Sequence, residues 1–228
     1  MGTELLSRDA FLEELMRNQA NNLNDYRRIV LEDFGEKALQ SIGKSVKDAY
    51  YESYSSCYDA YKHSEAHDLL PFKRRVDIHN KIRQALEPYA GIQVTVEPNE
   101  FNATHHLRLT TARVLLDVAK VRTPGEMVPA TRYRDRYAQD NQLDLFRSDE
   151  EETPSNRLYA ALLHGYDPSR RQYLAFLQIV FPDKRFERYV GTSIDLMQLC
   201  PELSLISEPE PIAQEDTAKQ PLIRLKAD

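Results

Sequence analysis

The chain has 228 residues, 41% of them apolar and 29% charged, a balance that supports a large buried core and excludes wholesale disorder. Its longest uncharged apolar run, Tyr173–Phe181, falls far short of the roughly 20 residues needed to span a bilayer. The net charge of −6 argues against a generic nucleic-acid coat while permitting local basic patches.

The N-terminal stretch shows no signal peptide, and Leu6 stands where a myristoylation pattern needs Ser or Thr, so neither export nor a membrane anchor is expected. Two lone cysteines, Cys57 and Cys200, form neither a metal site nor a disulfide framework, and a reducing, cytoplasmic location is the simpler expectation.

Residues 1–90 read as a helical subdomain of about four helices. Leu5, Leu6, Phe11, Leu12, Leu15 and Met16 recur at helical spacing, and Asn21, Asn22 and Asn24 punctuate their end. Asn24 caps a second helix carrying Ile29, Val30, Phe34, Leu39 and Ile42, and Ser45 a third, with Val46, Tyr50, Ser53, Cys57 and Tyr61 in line. Pro71 suits the first turn of a fourth, whose stripe is Phe72, Val76, His79, Ile82, Leu86 and Tyr89.

At Gly91 the period changes. Residues 91–200 read as a strand-rich subdomain sharing the same core. Ile92, Val94 and Val96 alternate with polar residues, and Leu107–Val121 is strand-like with a break near Thr110–Arg113. A short helix is expected over Arg132–Gln142. A hairpin joins Arg157–His164 to Gln172–Phe181 through Asp167-Pro168, and further strands are expected at Arg188–Gly191 and Ile194–Leu199. Residues 201–228 read as a disordered, acidic, proline-containing tail. Helices followed by strands make the class α+β, with a small, mostly antiparallel sheet and covering helices.

Four constellations carry chemistry. His63 and His67 share a helix face but lack a third ligand, so a solvated helix end outweighs a metal site, and no metal is expected. Lys73, Arg74 and Lys81 fall opposite the stripe of the fourth helix and suit either phosphate or plain solvent. Asp117 and Lys120, with Glu97 nearby, suggest a Mg²⁺-dependent nuclease of the PD-(D/E)xK type. There, however, acid and lysine sit at i and i+2, whereas an unbroken strand sends Asp117 and Lys120 to opposite faces. Finally, Arg132, Tyr133, Arg134 and Tyr137, with Asn141 and Phe146, combine the residue types that carry binding energy. The same guanidinium and aromatic groups leave nucleic acid as an alternative partner.

The string Thr131–Tyr137, then Asn141–Phe146, Leu162–Gly165, Phe181-Pro182 and Ile194–Leu196 resembles bacterial and phage proteins encoded beside regulators of the ImmA/IrrE-like metallopeptidase kind. The resemblance covers residues 105–200 and contains no motif of assigned chemistry. It implies an operon-encoded protein partner in a stress, immunity or toxin–antitoxin-like system, and a growth-inhibitory role. Recognition of a protein is therefore the leading expectation, with the nuclease and a structural adaptor as its alternatives.

Overall fold

The computed structural model describes residues 8–98, 105–129, 131–138 and 157–204, and of residues 8–24 the backbone alone. Helix α1 spans Arg8–Ala60 as two helical segments that meet at a kink, where the sequence suggests three helices. Its kink lies at Gly35, whose φ of 72° belongs to the left-handed region that glycine adopts without strain. The expected break at Ser45 fails because that side chain is buried and donates to the Lys81 carbonyl of the next helix at 3.3 Å. Gly43 serves close packing rather than termination: a Cβ there would lie 2.6 Å from the Leu203 side chain.

Helix α2 spans His63–Leu86, starting well before Pro71, which lies inside it on the exposed side. Its inward face is also rotated from the expected stripe. Ala66, Leu70, Arg74, Ile78, His79, Ile82 and Leu86 are buried, whereas Phe72 and Val76 are 59% and 48% exposed. The two helices form a hairpin. Beside the turn that joins them, Cys57 packs against Ala66 and Leu70. Of the tyrosine-rich turns of α1, Tyr50 is fully buried, Tyr54 and Tyr58 stack at 4.3 Å, and Tyr51 and Tyr61 are exposed.

The sheet has six strands in sequential order: β1 Gln93–Pro98, β2 His105–Thr110, β3 Val114–Lys120, β4 Leu158–Asp167, β5 Arg170–Val180 and β6 Ile194–Asp195. All neighbours are antiparallel except β3 and β4. The β2–β3 turn is clamped to α1, since Asp33 accepts from Thr111 Oγ1 at 2.6 Å and from the Arg113 backbone N–H at 2.9 Å. Asp167 accepts from both N–H and hydroxyl of Ser169, closing the β4–β5 hairpin with an Asx turn.

Helix α3, Arg132–Ala138, follows β3, and the short helices α4, Leu196–Leu199, and α5, Pro201–Ser204, follow β6. The expected strand at Arg188–Gly191 reduces to one bridge, Pro182 to Tyr189. Nor is Pro201 the start of an unpacked tail, because Leu203 is buried against α1. Residues 205–228, with Leu222-Ile223, lie outside the described residues.

The fold is α+β, and the sheet has two covered faces. Val114, Leu116, Val118, Leu162 and Ile179 join Ile42, Ile78 and Ile82 of α1 and α2 in one buried cluster, so helices and sheet share a core. Each such aliphatic contributes about 1.5–3 kcal/mol by leaving water. On the other face Leu115, Ala119, Tyr159, Ala161 and Leu163 pack with Val128, Ala138 and Phe186. Among the described residues no helix is long and apolar enough to cross a membrane, and Cys57 and Cys200 are buried.

Candidate functional site

The parallel ladder between β3 and β4 stops where β3 ends, with Lys120 level with His164, while β4 runs on to Asp167. Here the sheet margin is left open between α2 and α3, forming a pocket of about 800 Å³. It wraps around the strand ends and so receives side chains from both faces of the sheet.

On the α1–α2 face, three cations converge on one ring. Lys120 Nζ lies 4.8 Å from the centroid of Tyr166, Arg74 Cζ 5.6 Å and Arg171 Cζ 5.9 Å. Arg74 is only 4% exposed and also lies over the Tyr50 ring at 4.2 Å. Its hydrogen-bond acceptors are neutral: Ser53 Oγ at 3.3 Å and the Arg171 carbonyl at 2.8 Å. None of the ion pairs among the described residues involves Arg74, Lys120 or Arg171. Burial lowers the affinity of Arg74 for its proton, and Arg171 adds to this. Lys120 is likewise pushed below the usual lysine range, first by burial, with Arg74 and Arg171 adding and Tyr166 opposing.

His164 completes this half. It is buried beside Lys120 and Arg74, and these effects push it down to about 3, so its ring is neutral at pH 7. Tyr50 Oη lies 2.8 Å from His164 Nδ1. Burial holds the Tyr50 phenol protonated. We assign its hydroxyl as donor to Nδ1, which leaves the ring proton on Nε2 at the pocket wall.

On the α3 face the charges are mutually satisfied. Asp117, 1% exposed, accepts from Arg134 Nε at 2.7 Å and from the Tyr133 hydroxyl at 3.3 Å through Oδ2. Its Oδ1 is buried without a hydrogen-bond partner. Burial raises the Asp117 carboxyl above its ordinary value while Arg134 opposes the rise. Arg134 also donates to the Pro129 carbonyl at 3.0 Å. His106 stacks on Tyr133 with centroids 4.1 Å apart and an interplanar angle of 13°. Glu97 pairs with Arg108, which donates to Tyr137 Oη at 2.6 Å.

This arrangement separates the residues that the sequence suggested as a nuclease centre. β3 is unbroken, Asp117 lies on the α3 face and Lys120 on the α2 face, and Asp117 and Glu97 are each neutralised by an arginine. Among the described residues no three His, Cys, Asp or Glu side chains are placed to hold a metal ion, and His63 and His67 are exposed on α2.

The expected partner-binding segment also turns inward. Arg134 is buried and Tyr133 and Tyr137 half-buried against the sheet, while Arg132 is exposed and Asn141 and Phe146 lie outside the described residues. The sequence reading took Lys120 for a nuclease lysine and Arg74 for a residue opposite the apolar stripe. Arg74 betrays its burial by falling in step with Leu70 and Ile78.

Fold and site together define an α+β protein with a cation-rich, aromatic-walled pocket at the end of a parallel strand pair. Comparison with protein-family models, with curated proteins and with solved structures finds no match to this chain.

Proposed function

We propose that this protein binds an anionic, phosphate-bearing ligand in the pocket at the end of the β3–β4 ladder. The observation that carries the reading is Arg74, a buried guanidinium whose acceptors among the described residues are neutral, to which Lys120 and Arg171 add two further positive charges around Tyr166. Like charges gathered at a partly buried site destabilise one another, and a phosphate group would offset that cost while accepting their hydrogen bonds. Binding rather than hydrolysis is the reading that the geometry supports, since Asp117 and Glu97 are each paired with an arginine.

Titration with inorganic tripolyphosphate, followed by calorimetry, tests it. The expected result is saturable binding that weakens at least tenfold in Lys120→Ala with Arg171→Ala and fades with added salt. Equal affinity in the double variant would overturn the assignment.

Recognition of a protein partner, the role implied by the operon resemblance, is a second reading favoured by a different observation. Leu69, Phe72 and Val76 succeed one another on α2 at i, i+3 and i+7 and are 37%, 59% and 48% exposed. Such spacing is how a helix offers anchors to an apolar groove on a partner. Phe72→Ala with Val76→Ala should therefore leave the melting temperature nearly unchanged but abolish co-purification with the neighbouring gene product. Undiminished capture by the double variant would remove this reading.

A further inference from the structure

We propose that the pocket takes a nucleotide, its phosphate at Tyr166 and its base beside the His106–Tyr133 pair, an assignment that rests on the phosphate reading above. Three observations carry it. The first is size. At about 800 Å³ the pocket is far larger than one phosphoryl group and lies in the range that encloses a whole small organic ligand, roughly 300–1,000 Å³.

The second is its division. Lys120 and Arg171, which none of the ion pairs among the described residues involves, stand with buried Arg74 on the α1–α2 side, whereas beyond the end of β3 the wall carries the stacked rings of His106 and Tyr133. A ligand matching both halves is anionic at one end and planar at the other.

The third is unfulfilled hydrogen bonding in the flat half. Both ring nitrogens of His106 are buried and have no hydrogen-bond partner among the described residues, Nε2 lying 3.8 Å from Glu97 Oε2. His106 is pushed below its ordinary value, by burial first, so that one nitrogen donates and the other accepts. Asp135 of α3 faces the same space and is the sole carboxylate among the residues that line it. A neutral imidazole and a carboxylate are suited to the mixed donor and acceptor edge of a nucleobase, and Tyr133 to its face. A plain polyphosphate would use neither.

The experiment compares the four ribonucleoside triphosphates with inorganic tripolyphosphate on the full chain. At least one nucleotide should bind tenfold or more tightly than tripolyphosphate. His106→Ala should erase that difference, while Lys120→Ala should weaken nucleotide and tripolyphosphate alike. Because His106 lies in a packed strand, Asp135→Asn provides a second variant, expected to change the preference among the four nucleotides by at least threefold without altering tripolyphosphate affinity.

Tripolyphosphate binding as tightly as every nucleotide would overturn the base subsite and leave the phosphate reading standing. Failure of all five ligands would overturn both. Binding of an oligothymidylate without any mononucleotide would overturn the proposal in favour of single-stranded nucleic acid.

Discussion

Replacing Arg134 with alanine is expected to lower the unfolding free energy by about 3–5 kcal/mol, the range found when one partner of a buried ion pair is removed. The reason lies in Asp117, which is 1% exposed and accepts from Arg134 at 2.7 Å with Tyr133 as a weaker second donor. Without the guanidinium the carboxylate stays in the interior with one long hydrogen bond, and the Pro129 carbonyl loses its donor as well.

The sign of the pH dependence follows. In the variant, burial is opposed on Asp117 only by the smaller effects of His106 and the Tyr133 hydroxyl, and it holds the folded pKa above that of the unfolded chain. A group so raised supports folding below its unfolded value, about pH 4, and loses that support as pH rises through the folded value. The deficit of Arg134→Ala should thus be small in acid and grow towards neutrality. Asp117→Leu combined with Arg134→Met should recover much of the loss, because neither charge is then left alone. Chemical denaturation at several pH values measures all three, and a loss below about 1 kcal/mol for Arg134→Ala at pH 7 would sink the argument.

How far the sequence discloses this architecture depends on whether a signal is local. Alternation at Val94 and Val96, the break at Thr110–Arg113 and the Asp167-Pro168 turn are written in neighbouring residues, and β1, β2, β3 and the β4–β5 hairpin follow them. Asp117 and Lys120 fall on opposite faces because a strand alternates, which three residues of spacing suffice to reveal.

Helix boundaries are less legible, because Ser45, Gly43 and Pro71 carry local meanings that tertiary contacts override. Ser45 bonds a carbonyl of the next helix instead of capping its own, and Gly43 makes room for Leu203. The face of α2 misleads for a similar reason. Phe72 and Val76 look like core residues by hydropathy, yet the hairpin with α1 turns Leu70, Arg74 and Ile78 inward.

As for the pocket, Tyr50, Arg74, Lys120, His164 and Tyr166 come from two helices and two strands. No spacing in the chain reveals that convergence, and it becomes visible only once the β3–β4 ladder is known to set Lys120 level with His164.

Arg74→Met is expected to part stability from binding. In the free protein, a methionine of similar length would keep the packing between the Tyr50 and Tyr166 rings, where sulfur–aromatic contact is favourable. It would also relieve the burial of a cation that no carboxylate balances. Two hydrogen bonds from the guanidinium to neutral acceptors are lost, to Ser53 and the Arg171 carbonyl, and set against the relieved burial they leave an expected net change in unfolding free energy within about 1 kcal/mol of zero, of either sign.

Binding should respond quite differently. A charge-assisted bond to phosphate contributes about 1.5–3 kcal/mol, so tripolyphosphate affinity should fall roughly 10- to 100-fold. Lys120 and Arg171 remain in the variant, so some salt-dependent binding should persist. Thermal melts of the free variant beside calorimetric titration separate the two quantities. A variant that melts far lower yet binds as tightly as the parent would make Arg74 a packing residue and leave the anion to the other two cations. Unchanged stability with lost affinity is the outcome that a buried, unbalanced arginine predicts, because its charge opposes the empty fold and favours the occupied one.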